Sequence, residues 1–140
     1  MPNRILHVED CADDVTLVGL AFRKAGIPVE IEVAYDGDQA VDVLASRTSP
    51  LPHCVLLDIK LPTKTGLELL SWIRSQPRLK RLPVVMLTSS QLPKDINDAY
   101  DLGANSYLVK PPSLEMLVSL AQTIAHYWFK TNVSPVPDVL

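Results

Sequence analysis

Cysteine is scarce in this chain of 140 residues: Cys11 and Cys54 are the only two, and they lie far apart. Their separation fits no metal-binding or redox spacing, so both are expected as free thiols in a reducing compartment. No block of basic residues occurs, and 13 basic against 16 acidic side chains leave a formal charge of -3. Direct binding to nucleic acid is therefore not expected. No apolar run approaches the roughly 18 residues of a membrane span, and the opening Met-Pro-Asn-Arg lacks a signal-peptide core. The expectation is a cytoplasmic protein with no membrane association. Internal repeats and low-complexity segments are missing as well. His7, His53 and His126 lack the regular spacing of metal ligands, which favours core or surface roles for each. What is present is enough for one ordinary core: 47% hydrophobic and 21% charged residues in a length that predicts one domain.

The chain is organised around His53-Cys-Val-Leu-Leu-Asp58, where four apolar residues without alternation run into one carboxylate. This is the pattern of a strand buried on both faces of a parallel sheet, and Asp58 falls at its C-terminal end. Arg4 to Val8 is a first apolar run, again ending in acids, Glu9 and Asp10. Asp13 and Asp14 then open a helix with Val15, Val18, Phe22 and Ala25 on one face, the early acids suiting the positive end of its dipole. Gly26 ends it. Val29 to Ala34 alternates apolar with Glu30 and Glu32, as an edge strand does. Asp36-Gly37 is expected as a turn before a helix that turns Ala40, Val41 and Leu44 inward, broken by the stretch 46–52. Gly66 opens a third helix with Leu67, Leu70 and Ile73 inward. Pro83 to Thr88 is a wholly apolar strand ending in a hydroxyl. A weaker helix, Asp95 to Leu102, should bury Ile96, Ala99 and Tyr100, and Gly103 follows. Ser106 to Val109 forms a fifth strand closed by Lys110, and a last helix spans about Ser113 to Phe129.

Five strands alternating with five helices predict an α/β protein, a three-layer αβα sandwich around a five-stranded parallel sheet. The edge pattern of the second strand agrees with one common order for such sheets, the flavodoxin-like 2-1-3-4-5, which is the expected topology. That order gathers Glu9, Asp10, Asp58, Thr88 and Lys110 at one sheet edge. Crowded carboxylates repel one another unless a cation lies among them, and Mg²⁺ suits a site with one or two protein carboxylates. Asp10 and Asp58 are the expected ligands. Lys110 supplies a point charge for a phosphoryl oxygen, Thr88 a hydrogen bond to another, and Asp58 the nucleophile of a phosphoryl transfer.

Glu9-Asp10, Leu-Leu-Asp58-Ile-Lys-Leu-Pro62, Gly66, Leu-Thr88-Ser-Ser, Tyr107 and Lys110-Pro111 together resemble the receiver domain of two-component response regulators. The resemblance covers nearly the whole chain, with 1–130 as the receiver domain and 131–140 as a flexible tail. It implies Asp58 as phosphoacceptor and Lys110 as the phosphate-binding lysine, with Thr88 and Tyr107 as switch residues. It also implies a Mg²⁺ shell of Asp10, Asp58 and the backbone carbonyl of Lys60, with Glu9 in the second shell or acting through water. A cis Lys110-Pro111 bond is implied too. The segment 79–90 and the stretch after Tyr127-Trp128 are similar to the small regulators that serve phytochrome-type histidine kinases, which implies such a kinase as partner. A protein of this kind is not an enzyme in the ordinary sense; it assists only its own phosphorylation and dephosphorylation.

Blander readings stand beside these. Asp58 or Thr88 could cap the helix that follows, Glu9 and Asp10 could offset a helix dipole, and Tyr107 could be plain core. Two other functions use a similar sheet, a metal-dependent phosphohydrolase with an Asp nucleophile and an intermediate carrier in a phosphorelay. Hydrolases of the haloacid-dehalogenase type place a second acid two residues after the nucleophile, where this chain has Lys60. A flavin-binding flavodoxin fits less well, because Glu9-Asp-Cys-Ala-Asp-Asp14 would repel a phosphate in the absence of a metal. The last helix sorts into three stripes. Leu117, Ala121 and Ile124 belong to the sheet-facing one, whereas Met116, Leu120, Thr123 and Tyr127 form a surplus stripe. That surplus predicts a homodimer through the fourth helix, fifth strand and fifth helix.

Overall fold

The computed structural model describes residues 2–46, 48 and 50–136. Apolar runs become strands β1 (Arg4–Val8), β2 (Glu30–Ala34), β3 (Cys54–Leu57), β4 (Val84–Thr88) and β5 (Ser106–Val109). Between and after them lie helices α1 (Ala12–Lys24), α2 (Gly37–Ala45), α3 (Gly66–Ser75), α4 (Pro93–Asp101) and α5 (Leu114–Ala125). All strand pairs are parallel, and the sheet order is β2-β1-β3-β4-β5, the flavodoxin-like order with the alternating second strand at the edge. β3 and β4 are buried along their whole length, while β2 alternates at the edge. Each face of the sheet has its own core. Leu6, Val55, Leu57 and Met86 pack with Leu44, Leu70 and Ile73 from α2 and α3. Ile5, Leu56, Val85 and Leu87 pack with Phe22, Ala121 and Ile124 from α1 and α5 on the other. Two apolar faces and two helical layers give the αβα sandwich its reason.

Several local expectations change on contact with the structure. Asp36-Gly37 is a helix start rather than a free turn, with Asp36 accepting from the Gln39 N–H at 2.7 Å as N-cap of α2. In α4 only Ala99 is buried and Tyr100 is half exposed, because Ala99 is the one residue of this helix packed into the core. α5 stops at Ala125 and continues as a π-helical turn, His126–Thr131, which brings Phe129 edge-on to His53 at 5.6 Å. Of the expected tail, Thr131 lies in that turn and Val133 to Val136 are exposed coil, whereas 137–140 lie outside the described residues. Positions 47 and 49, in the stretch expected to break α2, lie outside them too. No described helix is long and apolar enough to cross a membrane.

Candidate functional site

Backbone pairing carries three side chains to the carboxyl edge of the sheet. The ladders extend one step past the strands: Glu9 N donates to Ala34 O at 2.9 Å, Asp58 N to Val8 O at 3.1 Å and Lys110 N to Thr88 O at 2.9 Å. Glu9, Asp58 and Lys110 are thereby fixed by main chain rather than by loop chemistry. The loop after β3 then folds back over Asp58, with Gly66 N donating to Ile59 O at 2.8 Å. A Cβ on Gly66 would lie 2.0 Å from the Asp58 carbonyl oxygen, so the position admits only glycine. The Asp58 carboxylate is oriented by its neighbour's amide, Ile59 N donating to Oδ1 at 2.7 Å.

Lys110 joins the acids. Its Nζ lies 2.9 Å from Asp58 Oδ2, 2.7 Å from Asp14 Oδ2 and 2.6 Å from Glu9 Oε1. Burial pushes the Asp58 carboxyl up, but hydrogen bonds from Lys110 and Thr88 and the lysine charge outweigh it and hold the group below its usual value. Glu9 shows the opposite balance. Desolvation of this almost wholly buried side chain raises it to about 7, against the lowering effect of Lys110. Lys110 is itself raised despite its burial, since three carboxylates favour the ammonium. Two residues earlier on β1, His7 is buried with no hydrogen-bond partner for Nδ1, and burial lowers it to about 4. It is a neutral core histidine.

Ligand atoms of Glu9, Asp10 and Asp58 lie within 4.8 Å of one another, with Asp10 exposed at the mouth. The site's chemistry fits a divalent cation. The donors are hard oxygens, and buried Glu9 Oε1 has the ion-pair contact with Lys110 but no well-directed hydrogen bond. A cation here would compensate the desolvation by burial, and the lesser repulsion from Asp58, that together drive Glu9 to hold a proton near neutral pH.

Thr88 and Tyr107 are linked through a residue that sequence reasoning assigned no role. The Tyr107 hydroxyl donates to Ser90 O at 2.9 Å, Ser90 N donates to Thr88 Oγ1 at 3.4 Å, and Ser90 Oγ donates to Asp95 in α4 at 2.5 Å. Thr88 is buried, and Tyr107 is partly buried against the α3 side of the core. Neither Asp58 nor Thr88 caps a helix: Thr65 caps α3 in a reciprocal box with Glu68, and α4 has no side-chain cap. Asp14 also escaped the sequence reading, which gave it only a dipole role. The spacing Asp10 to Asp14, one helical turn into α1, is the one signal that could have found it. Lys60 is exposed. The Lys110-Pro111 bond is trans, since no described peptide bond is cis. The expected cis turn is not needed, because the Lys110 amide stays in the ladder with β4 and its side chain reaches all three acids from there.

A buried aspartate closing the central strand of a parallel sheet, flanked by acids, a hydroxyl and a lysine, defines a site for phosphoryl transfer to a carboxylate. Residues 5–122 match the response regulator receiver domain, and the chain belongs to that family. It is 41% identical over 97% of its length to the probable methanogenesis regulatory protein FilR2 of Methanothrix harundinacea, covering 90% of that protein. To the response regulator Rcp1 of Synechocystis it is 38% identical over 96% of its length and 94% of Rcp1. The Mn²⁺-bound structure of Rcp1 superposes with a TM-score of 0.85, at 37% identity over 96% of this chain and all of that one. The phosphorylated cyanobacterial phytochrome response regulator RcpA superposes with a TM-score of 0.89, at 34% identity, covering 97% of this chain and 100% of that one.

Proposed function

We propose that Asp58 accepts a phosphoryl group from a histidine kinase and that the protein signals through altered association. The observation that carries this is the contact between Lys110 Nζ and Asp58 Oδ2 at 2.9 Å, beside a carboxylate cluster suited to a divalent cation. An Asp58 carboxylate oxygen attacks the phosphorus of a phosphohistidine, an oxygen–phosphorus bond forms, and the phosphorus–nitrogen bond breaks with its electron pair returning to the imidazole, which takes up a proton. Lys110 and the Thr88 hydroxyl orient phosphoryl oxygens, and Ile59 N holds the non-attacking Asp58 oxygen. Asp10, Asp58 and the Lys60 carbonyl would hold Mg²⁺, with Glu9 acting directly or through water. When bound, the ion offsets charge on the transferring group. By the same groups the protein assists its own dephosphorylation and no other substrate's.

The kinase is assigned to the phytochrome type on the likeness to Rcp1 and RcpA. FilR2, similar to the same degree, is named for methanogenesis, so phosphotransfer profiling against kinases of both kinds decides the partner. A cytoplasmic location follows from such a donor. Homodimerisation through α4, β5 and α5 is supported by exposed Tyr100, Val109 and Met116 on those elements and by exposed Tyr127 in the π-helical turn that continues α5. Leu120, placed in the surplus stripe, in fact packs partly against the α1–α5 core. Met116→Glu is therefore the cleaner test: sedimentation should shift towards monomer with the fold intact, and a wild type that stays monomeric with and without phosphorylation removes the dimer.

Acetyl phosphate with Mg²⁺ should add one phosphoryl group in intact mass spectra, and Asp58→Asn should add none. Labelling that survives Asp58→Asn would remove the assignment.

A further inference from the structure

We propose that Asp14 is a positioning residue for Lys110, the anchor that keeps the ammonium beside Asp58 once the other two carboxylates are engaged elsewhere. The inference rests on the phosphoacceptor reading and adds a residue to it. Lysine reaches the site on a flexible four-carbon stem with three rotatable donors, so nothing in its own geometry fixes the ammonium. Position must come from acceptors. In this structure there are three, Glu9 Oε1, Asp14 Oδ2 and Asp58 Oδ2, at 2.6, 2.7 and 2.9 Å.

Their roles differ when the site is used. Glu9 and Asp58 belong to the carboxylate group able to share a cation, together with Asp10. A bound cation draws on their oxygens, and phosphorylation turns one Asp58 oxygen into a bond to phosphorus. Asp14 is outside that group. It stands on the first turn of α1, a third exposed, and its hydrogen bond to Lys110 spans 96 positions of sequence. Of the three acceptors it alone loses nothing on activation, so it holds the lysine while the phosphoryl oxygen replaces Asp58 as partner. The competing account is dipole compensation at the start of α1, and Asp13, on the same turn, shares any such role. Asp13→Asn is thus the internal control.

The test uses the protein with its lysine side chains labelled with ¹⁵N. In the metal-free protein the Lys110 ammonium, held by three acceptors, should give a slowly exchanging resonance that Asp13→Asn and Asp14→Glu retain and Asp14→Asn loses. Beryllofluoride binding in saturating Mg²⁺ should weaken about fivefold in Asp14→Asn, a charge-assisted contact on a partly exposed acid. Mg²⁺ affinity should stay within about twofold of wild type, since an acid outside the ligand group acts only at a distance. Three results would each overturn the proposal: an unchanged Lys110 resonance with unchanged beryllofluoride affinity, a loss of Mg²⁺ affinity as large as in Asp10→Asn, or tighter beryllofluoride binding. Failure of the phosphoacceptor reading would look different, as absent labelling of Asp58 with the Lys110 resonance behaving as described.

Discussion

The two ends of the sheet are built on opposite principles. At the amino end, apart from an Arg4–Glu30 ion pair at 2.6 Å at the β1–β2 corner, arginines meet carbonyl oxygens. Arg74 donates to Gly103 O at 2.9 Å, to Lys80 O at 3.2 Å, to Leu82 O at 2.7 Å and to Asn105 Oδ1 at 2.9 Å, while Arg78 donates to Leu44 O and Ser46 O. Asn105 Oδ1 accepts in turn from Val84 N at 2.8 Å. A planar guanidinium with several fixed donors sews loops together because neutral acceptors carry no charge to compete for. At the carboxyl end, three acids share one lysine, Asp10 stands beside them, and one of the three, Glu9, is driven to hold a proton. One end closes the fold. The other stores a demand for positive charge that a divalent cation can meet.

The contrast breaks most visibly at Arg74. Arg74→Ala removes a half-buried cation from four acceptors and should cost about 3 kcal/mol in urea unfolding. Labelling of Asp58 should survive wherever the variant is folded. Loss of labelling in the folded variant would mean that the two ends are not independent.

A smaller effect, of about 2 kcal/mol, is expected from pH at the acidic end, after allowance for Lys110. The folded Glu9 carboxyl titrates at about 7 against an ordinary value of 4.5, so between those limits the folded state binds more protons than the unfolded one. Stability of the metal-free protein should then fall as pH rises through that window. Asp58 has the opposite sign: its lowered value gives stability that is lost only as pH falls below the usual carboxylate range, so the two windows stay apart. Glu9→Gln should flatten the neutral slope, and Mg²⁺ should restore stability above pH 7. A metal-free protein whose stability rises from pH 5 to 7 would show that Glu9 is already ionised throughout.

The acidic end was legible in sequence and the arginine end was not. Glu9, Asp58, Thr88 and Lys110 each terminate an apolar run, so the parallel order places them together before any coordinates exist. Arg74 lies in the last turn of α3 and looks like a solvated charge; three of its acceptors are backbone atoms 6 to 29 positions away that no side-chain pattern marks, and the fourth is the Asn105 side chain. Ser90 was hidden for a related reason, since it accepts from Tyr107 with its main-chain carbonyl. Asp14 was visible but had a sufficient bland explanation. Tyr100 misled because an aromatic at helical spacing suggests core, yet α4 buries only Ala99.

The smallest expected change lies where the acidic end meets α4. Tyr107→Phe removes one hydroxyl, which donates to Ser90 O at 2.9 Å from a partly exposed ring, and should cost less than about 1 kcal/mol of stability. Beryllofluoride affinity should stay within about twofold of wild type, because Tyr107 touches neither Asp58 nor Lys110 in the contacts described and a missing neutral bond at this remove is a minor perturbation. What should change is transmission. Ser90 is bonded at once to Thr88, Tyr107 and Asp95, so a shift of Thr88 towards a phosphoryl oxygen is passed both to β5 and to α4. In the Phe variant the β5 branch is cut while the Asp95 branch remains. Amide chemical-shift changes on beryllofluoride addition should therefore shrink over 106–109 and persist over 93–101. Equal loss in both segments would make Tyr107 the single conduit, and no loss in either would leave its hydroxyl a local packing bond.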